Sequence, residues 1–175
     1  DTHTSTGTVA SIAANRISYC FDLRGPSMVV DTACSSSLVA LHLACRSLWS
    51  RESSKALVGG VNIIISPWTF IGFSKLSMLS PDGRCKAFDA SGNGFVRAEG
   101  GGVVVLKPLS VAVAEGDRIY ALVRGTAVNQ DGRTSGITVP SQGAQEAMLR
   151  DACAAAGVAP ETIQAVLQLR GAGTV

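Results

Sequence analysis

The stretch from Met28 to Leu48 narrows the possible folds of this chain more than any other. Met28-Val29-Val30 reads as the end of a buried strand, and Ser36 to Leu48 reads as a helix apolar on nearly every side. A helix without a polar face has to be covered on several sides. The rest of the chain continues the theme: short apolar runs alternate with helical patterns and glycine-rich punctuation, the rhythm of an α/β protein with a largely buried sheet. Between strand and helix the chain turns sharply through Asp31-Thr32-Ala33-Cys34-Ser35. This puts Cys34 near a helix N-terminus, where the dipole and unpaired N–H groups favour the thiolate and can hold an oxyanion. An arbitrary cysteine is more often a buried, inert side chain. The strand–turn–helix setting of Cys34 marks it as a nucleophile instead.

Strands are expected at Ala56 to Ile65, Gly102 to Lys107, Ile119 to Ala127 and Ala165 to Leu169. A helix capped by Ser141 is expected to run to about Ala156, closed by Gly157 and followed by Pro160, with Ala144, Met148 and Ala152 on its buried face. From Ser66 to Gly101 the prolines and glycines predict a long loop without an extended regular element. Its Asp82, Asp89, Arg97 and Glu99 read as the loop's own turn and ion-pair residues, and its glycine groups lack the lysine and hydroxyl of a phosphate-binding loop.

Composition excludes several classes. With 46% hydrophobic and only 16% charged residues among 175, the chain suits a packed domain or part of one, and disorder is excluded. Its 15 basic and 13 acidic residues are scattered without runs, which leaves no nucleic-acid footprint. The longest apolar runs, Val61 to Ile65 and Val103 to Leu106, are far short of the roughly 20 residues of a spanning helix, so no membrane is expected. Five cysteines, an odd number without regular spacing or a secretion signal, indicate a reducing compartment and hence a cytoplasmic protein. None of the cysteines and histidines has the close spacing of a metal site.

Gly25-Pro26-Ser27-Met28-Val29-Val30-Asp31-Thr32-Ala33-Cys34-Ser35-Ser36-Ser37-Leu38-Val39-Ala40-Leu41-His42 resembles the active-site region of β-ketoacyl synthases, above all the ketosynthase domains of modular type I polyketide synthases. The likeness continues through Ala56 to Asn62, Ser80 to Asp89, Gly94 to Gly100 and Val128 to Thr134. It implies a thiolase-like fold, layered α/β/α/β/α. It also implies that Cys34 accepts an acyl chain from an acyl carrier protein for decarboxylative condensation with a malonyl-type extender, its backbone N–H serving as oxyanion donor. The substrates ride on phosphopantetheine, and no cofactor is bound directly. Implied partners are the acyl carrier protein, neighbouring synthase domains and, in the full-length protein, a second copy. On this resemblance residues 1–175 form a partial ketosynthase domain, its middle portion, and the isolated chain exposes sheet and core surface covered in the whole domain.

One motif departs from the family. Its His-Gly-Thr-Gly-Thr corresponds to Arg170-Gly171-Ala172-Gly173-Thr174, preceded by Gln168-Leu169 in place of Glu-Ala. Thr174 alone matches as a phosphopantetheine contact, Ala172 replacing a threonine. Neutral imidazole both donates and accepts, whereas guanidinium only donates, so Arg170 cannot act as a base. A fixed cation beside the malonyl carboxylate also stabilises the charged state that decarboxylation must destroy. A cation there is compatible with acyl loading on Cys34, since it favours the thiolate, and works against condensation. No other histidine substitutes: His42 lies roughly 12 Å along the helix from Cys34 and reads as a packed residue, and His3 reads as a surface residue of the N-terminal segment. Three readings therefore stand: an elongating ketosynthase segment, a non-elongating ketosynthase that only transfers acyl groups, and a catalytically silent dimerisation scaffold.

Overall fold

The computed structural model describes residues 2–167. In chain order the elements are helices α1 (Thr4–Thr8), α2 (Ser11–Cys20) and α3 (Ser36–Trp49), strand β1 (Ala56–Asn62), helix α4 (Trp68–Lys75), strand β2 (Gly100–Leu106), helices α5 (Leu109–Ala114) and α6 (Gln142–Ala156), and a 3₁₀ turn at Pro160–Thr162. Strands β1 and β2 pair in a two-stranded sheet. The chain divides into two compact units, residues 1–60 with 103–122 and residues 61–102 with 123–175.

In the first unit the buried apolar side chains among the described residues are Cys45 and Leu48 of α3, Val58 of β1 and Ala112 of α5. Helix α3 lies against β1 where Gly60 faces its first turn: a Cβ on Gly60 would sit 3.1 Å from the Ser37 Cβ. That missing side chain lets the N-terminal end of α3, and with it the Cys34 turn, come close to the strand. Beside this core, Lys107 joins Glu115 (2.5 Å) and Asp117, while Lys55 reaches the same Glu115 at 3.3 Å.

In the second unit, Phe73 of α4 meets Phe95 edge-on with ring centroids 5.3 Å apart, and the Arg97 guanidinium stands over Phe70 and Phe73 at 5.8 and 5.1 Å. Gly94 is buried beside this cluster at φ 135°, its Cα so close to the backbone of residues 79 and 80 that a Cβ would lie 2.5 Å from the Ser80 nitrogen. Along α6, Ala144, Met148 and Ala152 are half-buried on its inner face. Gly125 packs against its C-terminal end, 2.4 Å from the Ala156 nitrogen to the site of an added Cβ, and Asn129 Nδ2 donates to the Ala144 carbonyl at 2.7 Å.

Helix ends share one device. In α6, Gly157 at φ 64° donates to the Ala154 carbonyl and Val158 to that of Cys153, both at 3.0 Å. The same pair of bonds closes α5 at Gly116, but α2, α3 and α4 close it with Asp22 (φ 49°), Arg51 (φ 62°) and Ser77 (φ 54°) in the left-handed region. A side chain there costs about 1–2 kcal/mol relative to glycine, which the two capping bonds and the packing offset.

Several expectations are corrected. Met28 to Val30 is not a buried strand: it pairs with no strand among the described residues, and Met28 and Val29 are 57% and 44% exposed. Helix α3 forms as expected, yet Leu38 and Leu43 remain exposed. Strand β1 stops at Asn62 rather than at Ile65, because the Ile64 N–H donates to Glu99 Oε1 at 2.5 Å instead of to a neighbouring strand. Within the Ser66–Gly101 loop an unexpected helix, α4, forms directly after Pro67, whose fixed φ suits a helix start. Ile119 to Ala127 has no ladder partner among the described residues, so it is no strand. Of the expected strand at 165–169, residues 165–167 are irregular and the remainder lies outside the described residues.

Two substitutions test this packing by thermal melting. Gly94→Ala, strained in φ and clashing with backbone, is expected to cost more than about 2 kcal/mol. Ser77→Gly, which removes a side chain from a left-handed cap, is expected to raise stability by up to about 1 kcal/mol.

Candidate active site

Cys34 is exposed, one residue before the N-cap position of α3. The residue before it, Ala33, has φ 55°, a left-handed conformation that costs an alanine about 1–2 kcal/mol and persists only where neighbouring bonds enforce it. Those bonds are present. Asp31 Oδ1 accepts the Ala33 N–H at 3.0 Å. Ser36 Oγ accepts the Thr32 N–H at 2.9 Å and donates to the Ala33 carbonyl at 2.6 Å, where the Ser36 N–H also arrives at 3.1 Å. Ser35 makes no side-chain cap; its hydroxyl turns back to the Thr32 carbonyl at 2.8 Å. None of these bonds engages the Cys34 N–H. The turn therefore presents an accessible thiol and, on the same residue, a backbone donor at the positive end of a 14-residue helix.

Cys20 and Cys85 are exposed as well, but neither stands at a helix start. Cys45, further along α3, is buried, and that burial pushes its thiol pKa up, away from reactivity. Cys85 accepts the Val96 N–H at 3.2 Å. His42 is a half-buried residue of α3, about two turns from Cys34. The carbonyl of His3 begins α1, accepting the Gly7 N–H at 2.9 Å. Arg170 and Thr174 lie outside the described residues. Among the described residues no group of His, Cys, Asp or Glu is arranged to hold a metal ion, and no helix is long and apolar enough to cross a membrane.

The sequence pattern assigns no separate role to Asp31, Ser35 and Ser36. Their signal is a short-range one: an aspartate two residues before a turn amide, and serines at the start of a helix, are side chains that bond their own backbone.

Comparison with known proteins places this turn in context. The family model for the beta-ketoacyl synthase N-terminal domain matches residues 1–112, and that for the beta-ketoacyl synthase C-terminal domain matches residues 120–175. The chain belongs to the beta-ketoacyl synthase family. Among curated relatives of this ketosynthase chain, a phenolphthiocerol/phthiocerol polyketide synthase polypeptide of Mycobacterium tuberculosis is 54% identical over all 175 residues, which make up 11% of that protein. A second polypeptide of the same synthase and organism is 54% identical over 99% of this chain and 8% of its own length. The chain thus spans about a tenth of the curated relatives it matches. Among solved structures, the ketosynthase from module 6 of the bacillaene synthase of Bacillus subtilis superposes with a TM-score of 0.87 at 48% identity, over 90% of this chain and 29% of that one. A Streptomyces albus oxazolomycin ketosynthase domain gives 0.83 at 45% identity, over 91% and 30%. The fold is thiolase-like, as the resemblance implied.

In this ketosynthase the carboxylates of the loop after α4 have hydrogen-bond partners. Asp82 pairs with Lys86 Nζ at 2.6 Å and accepts from Ser80 Oγ; Asp89 Oδ1 accepts the N–H and hydroxyl of Ser91, each at 2.8 Å. Hydrogen bonds from Lys86 and Ser80 hold the Asp82 pKa down to about 2. A carboxyl depressed below its unfolded value of about 3.9 contributes stability above that value and loses it as pH falls toward its folded pKa. Between about pH 4 and about pH 2, melting of the parent protein is therefore expected to fall more steeply than that of Asp82→Asn; parallel profiles would remove Asp82 from the acid limb.

Proposed function

We propose that the chain is the middle portion of a polyketide synthase ketosynthase domain, with Cys34 as its acyl-accepting nucleophile. The observation that carries this is the exposed Cys34 thiol at a strained turn opening α3, in a chain of this family. The share of solved ketosynthase chains that it spans, 28–36%, and the exposure of Val103, Val104 and Val105 on both faces of β2 support the partial-domain reading.

The Cys34 thiolate attacks the carbonyl carbon of an acyl thioester carried on the phosphopantetheine of an acyl carrier protein. The resulting tetrahedral oxyanion is stabilised by the Cys34 N–H at the helix N-terminus. Its collapse expels the phosphopantetheine thiolate and leaves the acyl group on Cys34. In an elongating cycle, a malonyl-type extender loses CO2, its carbanion attacks the acyl-Cys34 carbonyl, and the Cys34 thiolate leaves as a β-ketoacyl chain forms on the carrier. Thr174 is assigned to contact the phosphopantetheine arm. The same reading places the protein in the cytoplasm, with the carrier protein, neighbouring synthase domains and a second copy as its partners.

Arg170 favours a second reading of the later step. A fixed guanidinium where the family motif has histidine offers no base and no neutral donor for the enolate, so Cys34 loads and passes on acyl groups without elongating them.

Mass spectrometry of the full-length protein after exposure to an acyl thioester is expected to show one acyl group on Cys34. Cys34→Ala is expected to lower acyl transfer by more than about a thousandfold. Acylation that persists in Cys34→Ala would remove the nucleophile assignment, and a protein that never acylates would select the silent scaffold. With malonyl carrier protein added, an elongated product selects the condensing reading. Acyl-Cys34 without product, with elongation appearing in Arg170→His, selects the transfer-only one.

A further inference from the structure

The φ and ψ angles of Ala33 are the relative rotation of two peptide planes, the one joining Thr32 to Ala33 and the one joining Ala33 to Cys34. Each plane is held by a different side chain. Asp31 Oδ1 takes the N–H of the first at 3.0 Å, and Ser36 Oγ donates to the C=O of the second at 2.6 Å. In a trans peptide the C=O and N–H point in opposite directions within one rigid plane. Drawing the Ala33 carbonyl toward the Ser36 hydroxyl and N–H therefore turns the Cys34 N–H away from them. The Ser36 hydroxyl also accepts the Thr32 N–H at 2.9 Å while donating to Ala33, so it bridges the residues on either side of the bend.

We propose that Ser36 and Asp31 are positioning residues that aim the Cys34 N–H as the oxyanion donor, Ser36 through the Ala33 carbonyl and Asp31 through the Ala33 N–H. This rests on the reading of Cys34 as nucleophile. The device acts on the tetrahedral oxyanion and not on the thiol itself. Its loss slows attack on a thioester carbonyl, where negative charge develops on oxygen. It leaves untouched a displacement at a saturated carbon, where no oxyanion forms.

That difference supplies the test. In the full-length protein, acyl transfer to Cys34 from butyryl-N-acetylcysteamine and alkylation of Cys34 by iodoacetamide are measured side by side. Ser36→Ala is expected to slow acylation about tenfold or more, with alkylation within about twofold of the parent. Ser36→Thr, which keeps the hydroxyl, is expected to restore most of the acylation rate. Asp31→Ala is expected to behave like Ser36→Ala, and Asp31→Asn, whose amide oxygen still accepts the Ala33 N–H, to restore it. Equal loss of acylation and alkylation would reduce the two residues to structural roles and overturn the proposal, as would parent-like acylation in Ser36→Ala. Failure of the underlying reading is separately visible, because acylation would then either continue in Cys34→Ala or be absent from the parent protein itself.

Discussion

The candidate site depends on a single backbone torsion, the left-handed φ of Ala33. An alanine does not hold that conformation unaided. It is held by bonds to the peptide groups on either side, one made by Asp31 and the others by serines at the start of α3. The position of that helix depends in turn on β1, where Gly60 admits the first turn of α3 to within van der Waals contact. A chain of constraint thus runs from a missing Cβ on a strand, through the seat of a helix, to the direction of one N–H. Electrostatics enters only at the last link, where the helix N-terminus supplies the favourable potential.

The same local economy recurs at the helix ends. Asp22, Arg51 and Ser77 close α2, α3 and α4 in the conformation that glycine adopts most easily, while Gly116 and Gly157 close α5 and α6. In each case an amide beyond the helix reaches back to a carbonyl of the last turn. In α6 both ends of the helix are legible: Ser141 caps one, its Oγ accepting the Ala144 N–H at 3.2 Å, and Gly157 the other. Where the stop is an aspartate or a serine, nothing in the sequence announces it, and α2 and α4 pass unnoticed. The capping bonds, not the residue type, terminate those helices.

Strands fared differently from helices for a physical reason. A helix satisfies its backbone within itself, so α3 and α6 follow from local pattern alone. A strand exists only against a partner. Ile119 to Ala127 has the composition of a strand but no ladder, Gly125 lying beside α6, and Met28 to Val30 has the apolar run without the ladder. The end of β1 shows the same rule in miniature, since one glutamate side chain at Ile64 displaces a ladder bond. In the loop after α4, sequence reading recognised turn and ion-pair residues, but the pairing of Asp82 with Lys86 and the stacking of Arg97 on Phe70 and Phe73 depend on how the loop folds back.

By itself the sequence determined the family, the α/β class, the two long helices and the placement of Cys34 at a helix start, because each is carried by residues adjacent or periodic in the chain. It also contains the departure at Arg170, which is a matter of residue chemistry alone. Tertiary structure decided which extended segments became strands, which thiol is buried and which exposed, and how the Ala33–Cys34 peptide is turned. Those outcomes depend on partners brought from elsewhere in the fold and on hydrogen bonds whose geometry exists only once the helix is seated against its strand.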